Sequence, residues 1–133
     1  MGTKTQLKRE DIIYPELSYE IIGVLFEVYR ELGSGYREKY YQNAVAIQLK
    51  KQKIKFQEQL FVPLYFKNEK IGNLFMDFLI ENKIVLELKK DEKFSSKHIE
   101  QVYSYLKAKK IKLGIIANFA KDGVKYKRIL NLE

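Results

Sequence analysis

The stretch Phe75-Met76-Asp77-Phe78-Leu79-Ile80-Glu81-Asn82-Lys83-Ile84-Val85-Leu86-Glu87-Leu88-Lys89 decides the fold. It reads as two strands, Ile71–Ile80 and Ile84–Lys90, joined as a hairpin by the polar loop 81–83. Side chains alternate across a strand, so Phe75, Asp77 and Leu79 are expected on one face of the first, and Val85, Glu87 and Lys89 on one face of the second. The opposite faces are wholly apolar, Met76, Phe78 and Ile80 on one strand and Ile84, Leu86 and Leu88 on the other. Strands this apolar on both faces belong in the middle of a sheet covered on both sides.

Three charged groups interrupt this hydrophobic hairpin. Buried charge is costly unless it is paired or bound to a metal. A three-residue loop sets Ile80 opposite Ile84, and the same register sets Asp77 opposite Glu87 with β-carbons within about 5.5 Å. Two facing carboxylates repel unless a cation or a proton lies between them. A divalent, oxygen-seeking ion such as Mg²⁺, with Mn²⁺ as a substitute, fits that ligand set. Lys89, two residues beyond Glu87 and on its face, is placed to orient an attacking water or to stabilise charge on a phosphate. The competing reading is a partly buried ion-pair cluster. A lone E-x-K on a strand carries little weight; an Asp at matching parity inside an apolar hairpin is what favours the metal site.

Outward from the hairpin, Leu17, Ile21, Leu25, Val28 and Leu32 recur at helical spacing and predict a helix from Ser18, its N-cap, to Leu32, stopped by Gly33. After the Gly33-Ser34-Gly35 turn, a second helix is expected over Arg37–Gln52, with Glu38, Tyr41, Val45 and Leu49 on one face. Glu38 is a candidate third carboxylate, although an acid in a first turn also complements the helix dipole. Ile54–Phe66 alternates as a strand and 67–70 is a charged turn. Beyond the hairpin, Ser95 or Ser96 caps a third helix running to Lys109, and strands follow at Leu113–Phe119 and Val124–Leu130. On the third helix His98, Gln101 and Tyr105 form a polar row beside the apolar stripe. A lone histidine cannot centre a zinc site, and a solvated flank is the plainer role for His98.

The order is therefore α-α-β-β-β-α-β-β, a mixed α/β domain. Its 133 residues suit one domain over 17–133 preceded by a tail at 1–16. No cysteine is present, which excludes disulfides, thiolate metal sites and a cysteine nucleophile. No apolar run is long enough to span a membrane. Met1–Arg9 is polar and basic and lacks the apolar stretch of a signal peptide, so a cytoplasmic location is the default. A net charge of +8 favours a polyanionic partner such as nucleic acid. Lys107, Lys109, Lys110 and Lys112, then Lys125, Lys127 and Arg128, are candidate phosphate contacts that position a strand without reading its sequence.

At these residues the chain resembles the GxxExxY family, a branch of the PD-(D/E)xK nuclease superfamily. Gly35, Glu38 and Tyr41 match the naming motif; Asp77 followed by Glu87-Leu88-Lys89 matches the D…ExK core; Gln101 and Tyr105 match a Q-x-x-x-Y motif. The resemblance spans about Leu17 to Leu130 and departs from the superfamily name at Met76, where the name has proline. It implies a restriction-endonuclease-like core, a mixed central sheet flanked by helices. It implies Asp77, Glu87 and the Leu88 carbonyl as Mg²⁺ ligands, with Lys89 assisting the water and Glu38 holding a metal-bound water or second ion. Gln101 and Tyr105 would support the site or touch the phosphate backbone. The function these readings favour is a Mg²⁺-dependent phosphodiesterase acting on nucleic acid, DNA foremost. The alternatives are a non-catalytic nucleic-acid-binding module or a protein-interaction module on the same fold. A homodimer or partner protein would supply the surface for substrate selection that so short a chain lacks.

Overall fold

Pro15 opens the first helix because a proline at the first helical position gives up only an amide hydrogen that would be unpaired there. The computed structural model describes residues 13–91 and 93–132. In it α1 spans Pro15–Leu32, behind Tyr14 in a left-handed conformation (φ 49°). The expected start at Ser18 is thus corrected by one turn. Ser18 is no cap but a buried residue of the helix, and Ile13 and Tyr14 already pack against the core. Residues 1–12 of the expected tail lie outside the described residues. Gly33 ends α1 as expected, at φ 70°, its N–H donating to the Tyr29 carbonyl at 2.7 Å.

The second helix, α2, spans Glu38–Lys51. The strands follow as β1 (Phe56–Phe66), β2 (Glu69–Ile80) and β3 (Ile84–Lys89), then α3 (Ser96–Lys109), β4 (Leu113–Ala120) and β5 (Gly123–Leu130). The order α-α-β-β-β-α-β-β is the one expected. The β1–β2 turn is tighter than the charged stretch 67–70 suggested. Lys67 and Asn68 both take positive φ, so two residues suffice and β2 begins at Glu69. Ser95 caps α3, its hydroxyl accepting from the His98 N–H at 3.0 Å.

The five strands form one sheet in the order β1-β2-β3-β4-β5, antiparallel except for the parallel pair β3–β4 that α3 connects. β3 is therefore the central strand, as its two apolar faces required. Ile21, Leu25, Tyr41, Val45 and Leu49 of α1 and α2 cover one face, over Phe78, Ile80, Leu86, Leu88 and Ile115. Val102, Tyr105 and Leu106 of α3 cover the other, over Met76, Leu79, Val85, Ile116 and Ile129. The architecture is a restriction-endonuclease-like mixed sheet flanked by helices. No described helix is long and apolar enough to cross a membrane.

Alternation in β2 does not run unbroken. Met76 and Leu79 lie in the α3-side core, whereas Phe78 and Ile80 lie in the other. The expectation that Phe75, Asp77 and Leu79 share a face is corrected accordingly. The ribbon turns over at Asp77, and the same break appears across the ladder, where Gln59 of β1 sits at φ 52° between the pairs Glu58↔Phe78 and Leu60↔Met76.

Candidate active site

The turnover at Asp77 builds the site. The 81–83 loop sets Ile80 opposite Ile84 as expected, and the β2–β3 pairs run through Leu79↔Val85 to Phe78↔Leu86. At the next position carboxylates replace carbonyls. The Asp77 N–H donates to Glu87 Oε1 at 3.1 Å, and the Leu88 N–H donates to Asp77 Oδ2 at 2.8 Å. Asp77 and Glu87 are thus brought together as the register implied, but each is pinned by the other strand's backbone rather than standing over an intact ladder. Backbone donors aimed at carboxylates are charge-assisted hydrogen bonds that fix both side chains.

A third partner comes from α2. Gln42 Nε2 donates to Asp77 Oδ1 at 3.0 Å. Glu38, one turn earlier and half-buried, lies close enough for its charge to raise the Asp77 pKa. Lys89 Nζ sits 3.5 Å from Glu87 Oε2, with both side chains largely buried. Every carboxylate oxygen of the pair therefore meets one protein donor, and each keeps a second lone pair.

The electrostatics follow from burial. Glu87 is 8% exposed. Desolvation, then the neighbouring Asp77 charge, pushes its pKa from the ordinary 4.5 to about 8, against the opposing pull of Lys89. Asp77 is raised too, by burial first, with the Leu88 hydrogen bond and Lys89 opposing and Glu38 adding to the rise. Burial and mutual repulsion thus disfavour two bare negative charges side by side and favour a proton or a cation between them. Such a pair suits a hard divalent cation that keeps several waters and needs only one or two carboxylates. Among the described residues no cluster of three or more His, Cys, Asp and Glu side chains forms, so a richer metal cage is absent there.

The carboxylates open into a cleft of about 430 Å³ lined by Gln42, Gln59, Leu60, Phe75, Met76, Asp77, Glu87 and Gln101. Gln101 reaches it from α3. The other two members of its polar row do not line it. Tyr105 is fully buried in the α3-side core, which excludes the phosphate contact considered for it and leaves only support from beneath. His98 is half-buried, its Nδ1 3.8 Å from Asp91 Oδ2. Tyr41 binds through its hydroxyl to the Gly33 carbonyl at 2.6 Å and stacks on Phe119 at 4.2 Å. It therefore shapes the turn that launches Glu38 and Gln42, and Gly35 in that turn takes φ 99°, open to glycine and strained for other residues.

The basic residues separate into two groups. Lys125 pairs with Asn118 and Lys127 with Ile116, in the rows of Lys89 and Glu87 respectively, so both stand level with the site two strands away. Lys125 also lies 3.4 Å from Asp122. Arg128 is half-buried, one position along from Lys127. Lys107, Lys109 and Lys110 are exposed at the far end of α3, near where β4 begins beside Ile84. The residues missed from the sequence are Gln42 and Gln59. Gln42 lies one turn after Glu38 on α2, the only signal that placed it; Gln59 carried none.

A family model described as the PD-(D/E)XK nuclease superfamily matches residues 15–129. No curated protein sequence matches the chain. Among solved structures, the crystal structure of SSO0001 is similar with a TM-score of 0.57 at 18% identity, covering 71% of this chain and 50% of that one. The chain thus spans half the length of that protein, and the likeness is one of fold. With the matched region running from α1 into β5 and the fold agreeing, the chain belongs to the PD-(D/E)XK nuclease superfamily.

Proposed function

We propose that the chain is a divalent-metal-dependent nuclease of the GxxExxY branch, hydrolysing phosphodiester bonds in nucleic acid, DNA foremost. The observation that carries this reading is the carboxylate pair of half-buried Asp77 and buried Glu87, inserted into the sheet ladder with Lys89 at 3.5 Å and opening into a cleft. A structural ion pair gains nothing from two facing acids whose ionisation is resisted by burial, whereas a cation site gains its ligands from it. The branch assignment is supported by Gly35 at φ 99°, Glu38 at the head of α2 and Tyr41 tied to Gly33.

Asp77 and Glu87, with the Leu88 carbonyl, would hold Mg²⁺, and Mn²⁺ in its place. When bound, the ion would supply charge neutralisation for the scissile phosphate and lower the pKa of a coordinated water. Lys89 would hold the attacking water and stabilise charge developing on the phosphate. Gln42 keeps Asp77 oriented. Glu38 would hold an outer water, and Gln101 would contact the substrate from α3. Tyr105 would support that helix from below. Lys125, Lys127 and Arg128 would guide the strand across the sheet, and Lys107, Lys109 and Lys110 would add non-specific attraction at a greater distance. Residues 17–133 would act as one domain, in the cytoplasm, alone or as a homodimer or with a partner protein.

The test is cleavage of labelled single-stranded, duplex and branched DNA, and of RNA, with Mn²⁺ or Mg²⁺, wild type beside Glu87→Ala. Cleavage by the wild type that falls at least about a hundredfold in the variant is expected. Absence of cleavage on every substrate, with calorimetry showing no heat of Mn²⁺ binding, would sink the reading.

A further inference from the structure

The outer half of the β1–β2 hairpin carries aromatic rings that the core does not use. Leu60, Val62, Leu74 and Met76 pack towards α3. Their neighbours in alternation, Phe61 and Phe75, face the other way and are 55% and 59% exposed. The two are cross-strand partners with ring centroids 5.9 Å apart. Towards the hairpin tip Tyr65, Phe66 and Ile71 are exposed as well, and Lys67 lies over the Phe66 ring at 5.4 Å. Large apolar rings clustered in water on a paired strand ribbon mark a binding surface.

The ribbon is continuous with the active-site cleft. Phe75 lines that cleft together with Asp77 and Glu87, and only Met76 lies between Phe75 and Asp77, about 7 Å of strand from one to the other. Whatever enters the cleft over the hairpin passes Phe61 and then Phe75, the ring that lines it. The chain's charge of +8 makes a polyanion the complementary occupant. Of the polyanions, a duplex keeps its base faces stacked on one another and offers a ring only base edges, unless a step is unstacked at a cost in stacking energy. An unpaired strand presents base faces, and stacking on exposed aromatic rings is the way sequence-tolerant single-strand binders hold them.

We propose that Phe61 and Phe75 form a base-stacking platform that delivers an unpaired nucleic-acid strand to the carboxylates, so that the substrate of this site is single-stranded or frayed rather than fully paired. This inference rests on the nucleic-acid reading of the cleft and adds to it the form of the substrate. The platform does not depend on metal, which allows it to be tested apart from cleavage.

The experiment is fluorescence anisotropy in EDTA, with a labelled oligothymidylate, an oligouridylate of equal length and a duplex of mixed sequence. The full chain is compared with Phe61→Ala/Phe75→Ala and with Phe61→Leu/Phe75→Leu, which keeps apolar bulk and loses the rings. The wild type is expected to bind a single strand more tightly than the duplex. Each lost ring is expected to weaken single-strand binding about five- to a hundredfold, in both double variants, with duplex binding unchanged. Comparing oligothymidylate with oligouridylate distinguishes DNA from RNA as the source of the strand. The proposal is overturned if both variants bind a single strand as the wild type does, or if the wild type prefers duplex. It is equally overturned if light scattering shows a dimer that the variants dissociate while strand binding persists, because the rings then serve a second copy of the chain. Loss of cleavage with stacking intact would strike the nuclease reading and leave the platform standing. The exposure of both rings lets the variants fold, which circular dichroism verifies.

Discussion

Replacing Glu87 by glutamine should make the metal-free protein more stable in mild alkali. Glu87 is held in the fold with a pKa pushed up to about 8 by burial and by the Asp77 carboxylate. Between about pH 4.5 and about 8 the folded state therefore binds more protons than the unfolded chain. The stability contribution of Glu87 is fully present below pH 4.5 and is lost as the pH rises through about 8. At 1.36 kcal/mol per pH unit, ionising this one side chain costs the fold about 3 to 4 kcal/mol between pH 5 and pH 8. Relaxation of the strands and water entering the cleft reduce this to an expected 2–3 kcal/mol, roughly. Glutamine keeps the shape and cannot ionise.

The assay is urea denaturation of wild type and Glu87→Gln at pH 5 and pH 8 in EDTA, with the slope against urea held common. Groups that titrate in both proteins cancel in the comparison. The wild type should lose about 2–3 kcal/mol more than the variant between the two pH values, a large share of a small domain's stability. Equal pH dependence in the two proteins would refute the reasoning, because it would mean that Glu87 is not held as a resisted charge. A wild type that gains stability relative to the variant at pH 8 would refute it more strongly, since the carboxylate would then be satisfied by Lys89 alone.

Two further predictions concern the frame that holds the site. A Cβ added at Gly114 would stand 2.9 Å from Val102 Cγ1 and 3.4 Å from both Leu106 methyl carbons, so Gly114→Ala should lift α3 from the sheet and cost about 1–3 kcal/mol in chemical denaturation. The buried Asn131 side chain donates to the Leu106 and Ile111 carbonyls at 3.3 and 3.2 Å, and Asn131→Ala should lose about 1–3 kcal/mol with earlier hydrogen exchange at the end of α3.

The parts of this molecule legible in the sequence are those where a charge or a period contradicts its surroundings. Asp77, Glu87 and Lys89 could be found because each stands in a strand otherwise filled with apolar side chains, and β3 could be placed centrally because both of its faces are apolar. Gln42 was not legible: an amide on a half-exposed helix position looks the same whether it meets water or Asp77. The start of α1 was misread because Ser18 has the chemistry of a cap, while Pro15 and a left-handed Tyr14 set the true beginning. Tyr105 matched a motif, and its complete burial excludes substrate contact for a reason that spacing along a helix does not encode.

The deepest miss, the turnover at Asp77, explains more than it spoils. Strand alternation assumes an unbroken pleat along the ladder. Here the Asp77 and Leu88 amides find carboxylates in place of carbonyls, the β2–β3 ladder stops at Phe78↔Leu86, and the outer hairpin turns over there. Without that rotation Phe75 would share the α3-facing side with Leu79 and Met76 would face away. With it, Met76 enters the core and Phe75 is turned out beside the cleft. The carboxylate pair and the exposed rings therefore have one structural cause. Replacing Asp77 by a residue that cannot accept from Leu88 removes a ligand and also removes the reason for the ladder to break, so its effects on cleavage and on single-strand binding should be coupled rather than additive.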